Sequence, residues 1–536
     1  MNGGYPWLTT ILLLPAAGAL LLQLIPRRHT ALIKRWTVLV ALAEAVLVGF
    51  VVHDVAVGPL SGGPLPMALQ EQVNWIPAIG ASYHLGVDGI SAWILALNAG
   101  AFLLGALVVS TRSTERLKLF CGLLLLTEAA TTGVLTSLDL LLFYLFWEGM
   151  LIPLYFLLAC YGGPNRRRAT LKFVIYTVAG SLLMLVAILY LHFASGTNSF
   201  DLEVLFLHPA GNRVGVVIPF TGIHFLTPDQ FAFLAFALAF AIKLPIVPFH
   251  TWLPDLYESA PAPVLVFFAG LVSKLGAYGL LRFGITLFSG PVHNFQPLLV
   301  ALAILSILYG ALMALSENDI KRIVAYASIS HLGFIALGIF SLNQNGLNGA
   351  LIQIVNHGVI IAALFLVASM IEARTGTRDR REMAGLEKRM PWLYVFFLVI
   401  TLASLGMPGT NGFVGEFTIM LGAFQYAWIL AVLAGAGVVL AAWYMLRLHQ
   451  GLMHDPAPKG SEEVRDIRFR EGLILAPLAA LIIGLGVYPA PIGTVTSLSV
   501  PTTVAAADGS ITATPMPPVS VTAVVNESAT ATGAAP

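Results

Sequence analysis

Apolar runs of about 20 residues recur along the whole chain, and that is the length a helix needs to cross a bilayer. Fourteen of them are expected to span it, beginning near residues 7, 33, 89, 117, 138, 169, 229, 262, 296, 321, 347, 392, 427 and 472. Lipid offers no partner to backbone N–H and C=O groups, so only helices and closed barrels cross it, and runs this long and continuous read as helices. Composition agrees: 58% of the 536 residues are hydrophobic and 10% are charged, where soluble domains carry about 25% charged. The predicted fold class is an all-α polytopic membrane protein of about 14 transmembrane helices. The first run, Trp7 to Ile25, has no cationic segment before it and is expected to be a retained span. A net charge of +1 gives no reason to expect a nucleic-acid partner. Cys121 and Cys160 both lie in apolar runs and are expected to be small core residues, not a redox pair or metal ligands.

Basic residues set orientation in a membrane. The loops after the odd-numbered spans hold 24 of the 28 Lys and Arg, including Arg166, Arg167 and Arg168, and six between Arg374 and Arg389. Those loops are therefore predicted to face the cytoplasm and both termini to face away from it.

Two segments break the helix pattern. The stretch 229–256 contains FAFLAFALAFAIKLPIVPFHTWLPD, with Pro245, Pro248 and Pro254. The stretch 392–425 is interrupted by LGMPGTNGFVGEF, with Gly406, Pro408, Gly409 and Gly412. Proline removes a donor and clashes with the turn before it, so such breaks are tolerated in lipid only where they are buried in protein or line a polar cavity. Paired interruptions of this kind point to two inverted five-helix repeats, spans four to eight and nine to thirteen, each containing a broken helix. The expected organisation is N-terminal helices (1–110), a first repeat (111–290), a second repeat (291–450), a loop and last span (451–490) and a disordered tail (491–536), the last being rich in Thr, Val, Ala, Ser and Pro without Lys or Arg.

Six ionisable residues lie deep in these runs: Glu148, Lys243, Lys274, His331, His357 and Glu416. A charge at the bilayer centre costs about 2.5–3.5 kcal/mol on insertion scales, which makes each a functional candidate. Helix rise puts Glu148, Lys274, His331 and His357 roughly 14–16 Å from their span starts, near the middle of a core about 30 Å thick. Lys243 and Glu416 sit beside the breaks. A chain through the six would run along the membrane plane. Its chemistry suits proton relay: a carboxylate near a buried Lys controls whether that Lys keeps its proton, and His titrates near neutrality. Glu128 is a candidate auxiliary carboxylate. Glu44, outside the repeats, is expected to be paired locally. His250, Asp255 and Glu258 mark a candidate proton inlet, and Asp319 is expected to hold Lys321 or Arg322 in an ion pair. No metal cluster, phosphate loop or nucleophile–base pair is present in the sequence.

The runs LLFYLFWEGMLIPLYFLLACYGG around Glu148, AIKLPIVPFHTWLPD around Lys243, APAPVLVFFAGLVSKLGAYGLLR around Lys274 and NDIKRIVAYASISHLGF around His331 resemble the antiporter-like subunits of respiratory complex I. The resemblance covers roughly residues 80–450. LASLGMPGTNGFVGEFTIM, with Glu416 where the L- and N-type relatives carry Lys, is similar to the M-type or chain 4 branch. The opening YPWLTTILLLP with VNWIPAIGASYHLGVDGIS resembles chain 4 of the cyanobacterial NAD(P)H–quinone oxidoreductase. The resemblance implies a proton-translocating subunit (a translocase component of an NAD(P)H–quinone oxidoreductase) in a bacterial inner membrane or a thylakoid membrane, using plastoquinone or ubiquinone. It implies no redox cofactor in this chain. Flavin, iron–sulfur centres and quinone would belong to partner subunits of the membrane-embedded complex. Glu148 would modulate Lys243, Lys274 and the histidines would carry the proton laterally, and Glu416 would be the terminal site. Two alternatives stay open: a subunit of a multisubunit cation/proton antiporter, and one of a membrane-bound hydrogenase-type complex.

Overall fold

A computed structural model describes residues 5–58, 60–111, 114–209, 226–456, 464–497 and 499–510. Among them, eleven helices are long and apolar enough to cross a membrane, and Trp7–Leu22 and Pro391–Ser404 are shorter apolar helices. The chain is a multi-pass integral membrane protein with an all-α body. The N-terminal part comprises α1 (Trp7–Leu22), α2 (Thr30–Val57), α3 (Ser91–Thr111) and α4 (Leu117–Thr136). Then come α5 (Leu140–Gly149), α6 (Leu151–Tyr161), α7 (Arg166–Ser195), the short α8 (Leu202–Leu207) and a broken span, α9 (Pro228–Lys243) and α10 (Trp252–Ser259). The next span is α11 (Ala262–Gly270), a tight turn over Val272–Lys274, α12 (Leu275–Gly279) and a widened turn over Leu280–Ile285.

The second half holds α13 (Ser289–Ser316), α14 (Ile320–Phe340), α15 (Gln344–Thr375), the short α16 (Leu386–Arg389), the broken pair α17 (Pro391–Ser404) and α18 (Asn411–Tyr426), α19 (Trp428–Met453) and α20 (Phe469–Val487). The most apolar 18-residue windows of α14, α15 and the Ala262–Ile285 span are wholly buried, whereas only 28% of the corresponding windows of α19 and α20 is. The candidate relay residues on α14, α15 and the Ala262–Ile285 span therefore sit in the interior. Small residues let these helices touch: a Cβ on Gly310 of α13 would lie 2.6 Å from the Ser330 backbone nitrogen, and one on Gly276 would run into the Phe240 carbonyl oxygen.

Local chemistry sets the helix ends. Asp139 accepts hydrogen bonds from the Leu141 and Leu142 N–H groups at the start of α5, and Asp319 accepts from Lys321 and Arg322 at the start of α14. Each aspartate also forms a lone antiparallel bridge to the loop two helices on, Asp139 with Asp201 and Asp319 with Asp379. The same device thus recurs five spans apart.

Several expectations are corrected. Residues Leu69–Ile76 and Ala81–Val87 form a two-stranded antiparallel hairpin, β1 and β2, between two expected spans, so the chain is not helical throughout. Gly80, at φ +69°, closes it, a conformation that glycine adopts without strain. The tail is ordered at its start, with α21 (Ala490–Thr496) and α22 (Val500–Ala507) packed back on the bundle: Gly89 N–H donates to Ser499 Oγ at 2.9 Å. The expected disorder from residue 511 onward lies outside the described residues. Cys160 is exposed, not a core residue, whereas Cys121 is buried. Asp319 pairs with Arg378 at 3.1 Å, while Lys321 pairs with Glu372 at 2.7 Å and Arg322 with Glu317 at 3.0 Å. Single-sequence patterning cannot choose among equally spaced basic partners, and here the fold brings Arg378 in from the loop after α15.

Candidate functional site

The first break puts Lys243 at the last turn of α9. Thr227 and Gln230 start that helix with a reciprocal capping box, and Pro245 ends it by excluding the helical conformation of the residue before it. The freed carbonyl of Ile242 accepts from Trp252 Nε1 at 2.9 Å, and Val247 N–H donates to Ser306 Oγ at 2.9 Å. Lys243 is fully buried, and its Nζ has no hydrogen-bond partner among the described residues. It lies 5.2 Å from the ring centres of both Trp147 and Phe173. Its counter-charge is Glu148, which is half-buried on α5 and lies within electrostatic reach without direct contact. The expected Glu–Lys pair is therefore a pair through space.

Lys274 sits in a third interruption, which carries no proline and was not expected. Helix α11 stops at Gly270, where Leu271 leaves helical geometry at φ −125°. The Ala269 carbonyl accepts from Lys274 Nζ and from Ser273 Oγ, and Nζ is also 3.3 Å from Ser273 Oγ. Lysine thus satisfies part of the backbone that its own break leaves open, as lipid-embedded irregular backbone requires. A serine next to a lysine in an apolar run was the one available sign.

At the far end the residues converge. His331 Nδ1 meets Glu416 Oε1 at 2.6 Å, and Gln353 Nε2 donates to the same oxygen at 3.1 Å. Tyr444 Oη lies 3.3 Å from His331 Nε2. The His357 ring centre is 5.5 Å from that of His331, and neither His357 nitrogen has a partner among the described residues. His357 is also within electrostatic reach of Lys274. Helices α11 and α15 cross at Gly270 and Gly358, where a Cβ on Gly358 would lie 2.8 Å from the Gly270 carbonyl oxygen. The second break borders the pair: Gly406, at φ +73°, would bring a Cβ within 3.2 Å of Glu416 Oε2. Asn356 and Asn411 bond each other's backbone carbonyls across that break at 2.7 and 3.4 Å. Tyr444 and Gln353 were missed, because ordinary residues gain a role only from their neighbours.

Glu128 does not join the row through Lys243. It is buried against Glu44 of α2, whose Oε1 accepts from Thr132 at 2.9 Å. Of the inlet candidates, Asp255 and Glu258 are tied into an ion-pair network with Lys172, Arg322 and Arg378. His250 is buried with its ring 4.9 Å from that of Tyr309. Among the described residues, no group of three or more His, Cys, Asp or Glu could hold a metal ion. The row is chemically equipped to bind and pass protons, with weakly held or orphaned nitrogens at Lys243 and His357 and a bonded His–Glu pair at one end.

The chain as a whole is similar to known proteins. Residues 137–441 match the Proton_antipo_M family, described as NADH:quinone oxidoreductase/Mrp antiporter, TM. The NADH-quinone oxidoreductase subunit M of Mycobacterium tuberculosis is 37% identical over 525 residues, covering 91% of this chain and 92% of that protein. NAD(P)H-quinone oxidoreductase chain 4 1 of a Synechococcus species is 36% identical over 499 residues, covering 90% of each. A chain of respiratory complex I from Thermus thermophilus superposes with a TM-score of 0.82 at 33% identity, over 94% of this chain and 100% of that one. A chain of the Mrp complex from Dietzia shares the fold, with a TM-score of 0.80 at 22% identity, covering 94% of this chain and 100% of that one. The chain belongs to the NADH:quinone oxidoreductase/Mrp antiporter transmembrane family, in the group of subunit M and chain 4.

Proposed function

We propose that this proton-translocating membrane subunit moves protons along Glu148, Lys243, Lys274, His357, His331 and Glu416, coupled to electron transfer from a nicotinamide cofactor to quinone in partner subunits. The observation that carries the reading is the buried His331–Glu416 pair with His357 and Lys274 behind it. Burying these groups is costly in lipid and gives no packing advantage that apolar residues would lack. Each can hold a proton in one state and release it in another. Glu148 acts on Lys243 through space, as the charge nearest to it without direct contact. Glu128 with Glu44 is an auxiliary carboxyl pair. The chain itself carries no redox centre. The recurrence of the aspartate cap and bridge at Asp139 and Asp319 supports two inverted repeats, over 111–290 and 291–450. The basic loops face the cytoplasm and both termini the other side, in a bacterial inner membrane or a thylakoid membrane.

The test is the company the chain keeps. Mild detergent extraction followed by mass spectrometry is expected to recover flavin- and iron–sulfur-bearing subunits with quinone reductase activity. Recovery of antiporter subunits alone, or of a hydrogenase, overturns the reading.

A further inference from the structure

Outside the row, a second set of titratable groups lies between the buried pair and the basic loop face. His449, near the end of α19, is 3% exposed, and its Nε2 has no partner among the described residues. Its ring stacks on Phe397 of α17 at 5.0 Å and lies 5.6 Å from the ring of His454. His454 Nδ1 meets Glu387 Oε2 at 2.9 Å, and both side chains are open to solvent, at 41% and 43%. Tyr394 flanks both histidines at 5.6 Å. Farther into the same helix, Tyr444 touches His331. Tyr444 and His449 are five residues apart, about 7.5 Å of helix rise. Helix α17 runs antiparallel beside this interval. On it Phe397, Thr401 and Ser404 share one stripe, since residues three and four apart lie on one face. The Thr401 and Ser404 hydroxyls are buried, and their oxygens have no partner among the described residues.

An orphaned buried imidazole nitrogen and two orphaned hydroxyls on the stripe of the helix that carries Phe397 are costly if their role is packing alone, because each forfeits the hydrogen bond it had in water. We propose that they form a proton route from the loop face to the His331–Glu416 pair, in the order Glu387, His454, His449, Thr401 and Ser404, Tyr444, His331. A proton enters at His454. Tyr444 gives its Oη proton to His331 Nε2 and is reprotonated from the hydroxyl side, so only N–H and O–H bonds change. The Phe397 ring, stacked on His449, separates the outer from the inner half, so the pair is reached from this face only when that ring yields. This inference rests on the proton-translocation reading above.

The experiment uses the assembled complex in proteoliposomes, with proton uptake and quinone reduction recorded together. His449→Phe keeps a ring on Phe397 and removes both nitrogens, and His449→Ala leaves room for added imidazole. Proton translocation is expected to fall about tenfold or more in both variants, within what positioned proton-transfer groups contribute. Imidazole is expected to restore the alanine variant only. Normal translocation in His449→Phe, alongside loss in a Lys274→Met control, overturns the route and leaves the relay standing. Normal translocation in both overturns the relay, and the route with it. A loss that imidazole does not restore makes His449 a packing residue and overturns the route.

Discussion

Replacing Lys243 with alanine is expected to abolish proton translocation by the assembled complex while leaving assembly intact. The two effects separate because of how the lysine is held. It is fully buried, its ammonium nitrogen has no hydrogen-bond partner among the described residues, and its immediate company is two aromatic rings. Removing it relieves a desolvation cost and breaks no hydrogen bond among the described residues, and its counter-charge Glu148 is half-buried and not in contact with it. The cavity left between Trp147 and Phe173 offsets part of that relief, and assembly should hold. Translocation should fall below about one-tenth of the unmodified rate, the loss expected when a positioned proton carrier is deleted. Proton uptake by proteoliposomes, with subunit stoichiometry checked by mass spectrometry, measures both. Normal translocation in an intact variant removes Lys243 from the row.

The opposite outcome is expected at Asp88 and Arg282. These side chains, each 3% exposed, form a two-pronged ion pair between the start of α3 and the turn after α12. Asp88 also accepts from the Ser91 N–H and hydroxyl at 3.1 Å, and Arg282 lies beside Tyr278, whose hydroxyl donates to the Leu135 carbonyl at 2.9 Å. Asp88→Ala leaves a guanidinium buried without its carboxylate, which costs about 3–5 kcal/mol. Assembled complex should become scarce, and whatever assembles should translocate protons normally per turnover. Combining Asp88→Leu with Arg282→Met should restore much of the yield, because replacing both charges by apolar groups removes the stranded one. Yield and turnover of purified complex distinguish the cases. A normal yield for Asp88→Ala means the pair is not structural. Buried charge alone therefore does not mark function here: Lys243 is buried without a hydrogen-bond partner among the described residues, Arg282 with one.

The sequence made most of the helices, the two proline and glycine breaks and the burial of Lys243, Lys274, His331, His357 and Glu416 legible, because each depends on local properties: apolar length, backbone donors and position within an apolar run. Helices begin near most of the expected positions, with α13 starting at Ser289 instead of near 296. What was not legible depends on which helices touch. His331 and Glu416 are 85 residues apart in sequence, and no local signal says that they bond. The partner of Glu128 is Glu44, on a helix outside the expected repeats, for the same reason. The break at Lys274 was hidden because the side chain of the lysine itself, with Ser273, covers the exposed carbonyl where a proline would ordinarily mark the site. The hairpin at Leu69–Ile76 was hidden because its strands follow one another through a short turn in a loop that hydropathy treats as a gap. His449 looked like an ordinary helix residue until its ring was placed between Phe397 and His454.

If one continuous proton path joins the two halves of the chain, Lys274 is its middle. Lys274→Met keeps the length and apolar stem of the side chain and removes the proton-binding nitrogen. The most direct measurement is the number of protons moved per electron pair by complex carrying this substitution, reconstituted in liposomes. A continuous path predicts a lower ratio than in the unmodified complex, with the subunit present in full amount. An unchanged ratio would contradict it.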